Sequence, residues 1–325
     1  MKIKKNIGVI GAGYWGINLI RNFHQLGAIK IVSDYDKKRE GKVLEISKHL
    51  NFTTNYKDIL ADDKIKAVVI ATPAKTHFKI AMDSLKANKH IYVEKPLCLN
   101  LKDGQQILKL SKKNRKKIMV GHLMLYHDAY NKMKEEIEKG LIGKIRYIYS
   151  NRLSLGKLRR EEDVLWSFAP HDISMILDLV KEKLIKVDAF GGSYISKQVK
   201  DTTVTLLKFK KNIKAHIFVS WMHPYKDQRL VVIGEKGMIV FADVLDNSEK
   251  LMFYNHNITW KGKLPVITKA KGKKIKFNYK KEPLHNECKA FIDWLGNNKK
   301  PPSHIEEGLK VLEVLEIAKK KLKVW

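Results

Sequence analysis

The chain has 325 residues, 44% of them hydrophobic, enough to bury about two cores of ordinary size. Two cysteines, Cys98 and Cys288, exclude a disulfide framework; no apolar run reaches the ~18 residues of a membrane span, and no His/Cys cluster has metal-ligand spacing. The formal charge of +30 is nearly all lysine, with eight arginines among 64 basic residues and no basic tail, so it reads as a solvated surface that speeds the arrival of anionic substrates and not as a nucleic-acid site.

Met1-Lys2-Ile3-Lys4-Lys5 runs straight into an apolar strand, Asn6 to Ile10. That leaves no room for a signal peptide, so free thiols in a reducing cytoplasm are the expectation. Gly11-Ala12-Gly13-Tyr14-Trp15-Gly16 follows at once. In a GxGxxG turn the first glycine makes the bend, the second lets the backbone approach a pyrophosphate, and the third lets helix and strand pack closely. A helix from Tyr14 to Leu26 ends before Gly27, and its free N–H groups favour a bound phosphate. A second strand, Ile29 to Val32, leads to Ser33-Asp34. Asp34 lies 23 residues after Gly11, where a carboxylate accepts from adenosine ribose hydroxyls. No arginine directly follows it, so the expected cofactor is NAD, with Arg39 as the counter-indication for NADP. The alternative for Asp34 is a turn cap with Asp36.

Helix and strand patterns go on alternating. Ala67 to Ala71 reads as a buried strand, Thr76 to Ala87 as a helix, His90 to Val93 as a strand, Asn100 as the cap of a helix to Asn114, and Ile118 to Val120 as the last strand of this set. Beyond a helix from Ala129 to Lys139, period-two runs predict half-buried strands at Lys144–Ser150, Ile185–Tyr194, Val204–Phe209, Ile213–Trp221, Arg229–Ile233 and Met238–Phe241, interrupted by a helix from Asp172 to Val180. Lys261 to Lys281 reads as a surface loop with one edge strand. Helices from Leu284 to Leu295 and from Ile305 to Lys321 close the chain around Pro301-Pro302. The predicted fold is α/β: a doubly wound parallel Rossmann sheet over residues 1–122, then an α+β domain with a large, mostly antiparallel sheet over 123–325, for substrate binding and oligomerisation. The closing helices are free to pack back on the first domain.

The motifs Ala71-Thr72-Pro73 with His77, Glu94-Lys95-Pro96, and His171 within Ala169-Pro170-His171-Asp172 complete a pattern that, with the glycine turn, resembles the Gfo/Idh/MocA family of oxidoreductases over essentially the whole chain. The resemblance implies oxidation or reduction of a sugar or polyol carbon with NAD(P). It implies cofactor contacts from Gly11, Gly13, Tyr14, Trp15, Gly16, Asp34, Thr72, Pro73, His77, Glu94 and Lys95. Lys95 and His171 become the candidate catalytic residues, with Lys95 touching both nicotinamide ribose and substrate. Many relatives carry an aspartate four residues before the histidine; here it is Ser167, which cannot hold a negative charge beside the imidazole. Gly121–Tyr126, Tyr147–Leu153 and Ser220–Pro224 are similar to stretches of nucleotide-sugar 3-dehydrogenases. This finer resemblance implies oxidation of C3 of UDP-N-acetylglucosamine, before an aminotransferase adds nitrogen on the way to a lipid A or surface-polysaccharide sugar.

Either Lys95 or His171 can serve as the base. Tyr149 and Trp221 are candidates to stack on base or sugar, or are core residues. Arg152, with Lys157, Arg159 and Arg160, either meets a diphosphate or belongs to a solvated loop. His77 and His122 read as structural or as cofactor wall. The rivals are another substrate (a UDP-sugar uronate, a dTDP-sugar or a free polyol) and a non-catalytic NAD-binding regulator. A homodimer or homotetramer without membrane insertion is the expected assembly.

Overall fold

Short β-branched runs between glycine turns bury both faces only when helices cover the sheet on both sides. The computed structural model describes residues 6–155, 158, 162–195, 199–279, 281–297 and 299–324. Its first elements are Ile7–Ile10 (β1), Tyr14–Gln25 (α1), Ile29–Ser33 (β2), Glu40–Ile46 (α2), Asn51–Thr53 (β3), Tyr56–Ala61 (α3), Ala67–Ile70 (β4), Ala74–Lys86 (α4), His90–Glu94 (β5), Leu101–Lys113 (α5) and Ile118–Gly121 (β6). The six strands are all parallel, in the order β3-β2-β1-β4-β5-β6. Sequence order reverses between β1 and β4, which opens a crevice at their carboxyl ends. The expected helix cap is present: Asn100 accepts from Asp103 N–H. The periodicity did not signal β3, α2 or α3, because Asn51-Phe52-Thr53 is a three-residue edge strand with no buried residue.

The second set runs Asp128–Glu138 (α6), Ile145–Leu153 (β7), Val164–Leu179 (α7), Leu184–Gly192 (β8), Thr202–Phe209 (β9), Lys214–Ser220 (β10), Asp227–Gly234 (β11), Met238–Ala242 (β12), Leu251–Tyr254 (β13), Asn257–Lys261 (β14), Leu264–Thr268 (β15) and Lys273–Lys274 (β16). Pro283–Gly296 (α8), Ile305–Lys321 (α9) and Lys323–Val324 (β17) end the described chain. A nine-stranded sheet has the order β16-β13-β12-β11-β7-β10-β9-β8-β17. Its pairs are antiparallel except β7 with β10 and β8 with β17. One face is covered by α7, onto which Ser150, Ile217 and Leu207 point their buried side chains. The Lys261–Lys281 segment holds two strands instead of one: β15 pairs with β14 in a separate ladder, and β16 edges the large sheet.

Two compact units result. The first joins the residues up to Tyr126 with Lys281–Glu313, so α8 belongs to the parallel-sheet unit; the second holds His127–Lys280 and the residues from Val314 onward. Phe23 of α1, Tyr92 of β5 and Phe291 of α8 form an edge-to-face trio with centroids 5.8–6.3 Å apart, an arrangement that stabilises beyond area burial alone. Among the described residues no helix is long and apolar enough to cross a membrane, and no His/Cys/Asp/Glu group could hold a metal ion.

Candidate functional site

The three glycines do different work. Gly11 has φ +103°, and a Cβ there would fall 2.7 Å from Ala71 O; one on Gly16 would fall 2.2 Å from Gly11 O. Only the absence of side chains lets β1, the loop after β4 and α1 come this close. A Cβ on Gly13 meets nothing within 4 Å, because Gly13 faces open space. No side chain caps α1, so its amino end is left to a ligand. Asp34 Oδ2 accepts from Ala12 N–H at 2.7 Å, and Oδ1 accepts from Asp36 N–H at 3.0 Å. Asp34 therefore both caps its turn and fixes the glycine loop. A pocket of about 480 Å³ lies against these groups, lined by Gly11, Gly13, Asp34, Arg39, Thr72 and Pro73 among others. Arg39 pairs with Asp36 at 3.6 Å. Open space over Gly13, uncapped N–H groups and a carboxylate at the far wall fit a dinucleotide with a free ribose 2′-hydroxyl. Tyr35 and Tyr56 also line the pocket; sequence reading missed Tyr56 because it follows the unsignalled β3.

At the end of β5, Glu94 is buried and Lys95 half-buried. Trp15 Nε1–H, from the first turn of α1, donates to Glu94 Oε1 at 2.8 Å. This bond ties the glycine turn to the strand that presents Lys95. Burial pushes the Glu94 carboxyl up, opposed by the Trp15 and Tyr92 hydrogen bonds and the Lys95 charge. Tyr14 is 81% exposed on the same helix end. Of the two readings for His77, structural or cofactor wall, its burial favours the structural one. Its ring nitrogens stand 2.8 Å from Pro96 O and 2.8 Å from Thr72 O, clasping the two loops that follow β4 and β5. Burial holds its pKa down, so the neutral ring donates to one carbonyl at a time. His122 is held down to about 3 by burial and by the Lys95 charge.

In the second unit His171 lies in α7. The helix starts at Val164 instead of Asp172, and Pro170 sits inside it. Asp163 caps it by accepting from Trp166 N–H at 3.0 Å, and the burial of Val164, Leu165 and Ala169 outweighs the bond Pro170 cannot donate. Ser167 lies four residues before His171 on the same helix face. Asp172 is turned into the sheet, where Arg152 Nε and Nη2 donate to its two oxygens at 2.6 and 3.2 Å. Arg152, expected at the substrate, is thus 6% exposed and committed to a buried fork. Trp221 is 1% exposed and edge-on to Phe168, a core residue and not an exposed stacking platform. Tyr149 remains half-buried and stacks on His216 at 5.5 Å. Lys157, Arg159 and Arg160 lie outside the described residues.

Residues 5–122 match the oxidoreductase family with an NAD-binding Rossmann fold, and residues 130–240 match the Gfo/Idh/MocA C-terminal domain. A myo-inositol 2-dehydrogenase of Thermotoga maritima is 29% identical over 253 residues, 73% of this chain and 75% of that one. A UDP-N-acetylglucosamine 3-dehydrogenase of Acidithiobacillus ferrooxidans superposes with a TM-score of 0.84 at 19% identity, covering 97% of this chain and 96% of the other. A putative oxidoreductase of Magnetospirillum magnetotacticum superposes with a TM-score of 0.83 at 26% identity, covering 98% and 100%. The two family matches span both the parallel-sheet and the mixed-sheet parts of the chain, which is therefore a member of the Gfo/Idh/MocA family, an NAD-dependent oxidoreductase acting on hydroxyl groups.

Proposed function

We propose that the protein oxidises C3 of a nucleotide sugar such as UDP-N-acetylglucosamine, yielding a 3-keto sugar for an aminotransferase. The observation that carries the dehydrogenase reading is Lys95, presented by a strand end that Glu94 and Trp15 fasten to the dinucleotide turn. Support for the nucleotide sugar is the resemblance of Tyr147–Leu153 and Ser220–Pro224 to such enzymes, and a charge of +30 that favours a diphosphate ligand. The same fold also carries UDP-N-acetylglucosamine 3-dehydrogenase activity in the Acidithiobacillus protein. A second reading, oxidation of a cyclitol, is favoured by the 29% identity to an inositol dehydrogenase.

Bound NAD supplies the hydride acceptor. In the proposal, Asp34 selects its adenosine ribose and the amino end of α1 holds its pyrophosphate. Lys95 orients the substrate hydroxyl and lowers the energy of the developing alkoxide. His171 takes the hydroxyl proton, the role of general base that an imidazole side chain can fill. Ser167 and Tyr149 contribute to the sugar site. Incubation of the purified protein with NAD and a panel of UDP-N-acetylglucosamine, a UDP-uronate, a dTDP-sugar and myo-inositol tests this. NADH formed fastest with UDP-N-acetylglucosamine supports the first reading, and preference for myo-inositol replaces it with the second. A coupled aminotransferase draws off the ketone where equilibrium is unfavourable. Exchange of His171 for Asn distinguishes the bases: the acid limb of the rate profile disappears if His171 is the base and persists if Lys95 is.

A further inference from the structure

Three polar side chains meet inside the parallel-sheet unit, and the dehydrogenase proposal uses only one of them. Tyr92 and Glu287 are 0% exposed and Glu94 is 9% exposed. The Tyr92 hydroxyl stands 2.9 Å from Glu287 Oε2 and 3.2 Å from Glu94 Oε1. A phenol carries one proton and donates to one carboxylate. Its oxygen then needs a donor from the other carboxyl, so one of the two acids must be protonated.

The surroundings decide which. Glu94 Oε1 also accepts from Trp15 Nε1–H at 2.8 Å, and Glu94 Oε2 from Lys95 N–H at 3.3 Å; such donors suit an anion. Glu287 Oε1 is buried without a hydrogen-bond partner among the described residues. A carboxylate there would leave a charged oxygen unsolvated, which is far more costly than an unpaired carbonyl. The ionisable groups around the trio separate in the same way. The Lys95 cation acts on Glu94, whereas Glu287 faces Tyr92, Glu94 and the Cys288 thiol, with no cation among the described groups acting on it. Burial first, and the Glu94 charge second, push the Glu287 carboxyl well up. Strand β6 leaves room for the arrangement: a Cβ on Gly121 would lie 2.9 Å from Glu94 Oε1 and 3.0 Å from the Tyr92 hydroxyl.

We propose that Glu287 is a protonated positioning residue of the cofactor site. Its acid O–H donates to Tyr92, Tyr92 donates to Glu94, and Glu94 remains an anion holding Trp15 and the backbone of Lys95. The role rests on the cofactor reading of that site, but the protonation state can be measured without cofactor or substrate. Infrared spectra of the apoprotein at neutral pH should contain the carbonyl band of a buried carboxylic acid, and Glu287→Gln should remove it. NAD binding supplies a second readout. Tyr92→Phe deprives the Glu94 anion of a donor, so NAD affinity should begin to fall at higher pH on acidification and drop about tenfold under mildly acidic conditions. Glu287→Gln keeps an amide donor toward Tyr92 and should hold the acid limb near that of the parent. A band that survives Glu287→Gln, or an acid limb that Tyr92→Phe leaves in place, overturns the assignment. Loss of turnover with both results as expected would count against the substrate proposal instead.

Discussion

At the scale of single residues, Lys95 and Asp34 let chemistry be separated from binding. Lys95→Ala should lower kcat by about 10²-fold or more while NAD affinity stays within a fewfold, because the ammonium is assigned to the reacting oxygen and not to the pyrophosphate. Isothermal titration beside steady-state rates checks this, and a joint loss of affinity and rate would make Lys95 a cofactor clamp. Asp34→Arg removes the acceptor for Ala12 N–H and puts a cation beside the ribose. It should cost NAD about tenfold or more in affinity and shift preference toward NADP; an unchanged NAD/NADP ratio contradicts the role. These residues were legible in the sequence because their reasons are local: three glycines, a strand end, an acid at fixed spacing. The partners of His77, Arg152 and Glu287 were not. His77 finds its acceptors at Thr72 and Pro96, Arg152 its partner at Asp172, and Glu287 meets Tyr92 across 195 positions. Only the fold makes them neighbours, and no spacing rule announces such pairs.

Among the elements, α7 shows where pattern reading stops and packing decides. The pattern placed the helix start at Asp172; the true start is the Asp163 cap, and apolar burial carries the helix through Pro170. The Arg152–Asp172 fork then pins α7 to β7, with side chains 7% and 1% exposed. Removing one partner leaves a buried charge, so Arg152→Ala should destabilise the protein by about 3–5 kcal/mol in denaturant unfolding. A loss below about 1 kcal/mol would mean that water reaches Asp172. The long strands were legible because alternation survives in Ile145–Leu153 and Thr202–Phe209. The short strands β3 and β13 were not, being three and four residues long with no alternation to read.

For the molecule as a whole, the two sheet types followed from periodicity and motif, whereas the return of α8 to the first unit was left open by them. A helix pattern names its apolar face and not the surface it covers. The buried histidines give the first unit a pH signature. His122 has its folded value pressed down to about 3, so the stability it contributes is fully present above the unfolded value near 6.5 and is lost as pH falls toward the folded one. Melting curves should therefore fall more steeply between neutral and mildly acidic pH for the parent than for His122→Gln; parallel curves would show that the ring is solvated. The central claim, a family dehydrogenase whose Lys95 serves a sugar hydroxyl, is tested most directly by the initial rate of NADH formation from UDP-N-acetylglucosamine in the parent and in Lys95→Ala, each saturated with NAD. The account predicts a clear rate in the parent and a loss of about 10²-fold or more in the variant; equal rates in the two proteins would contradict it.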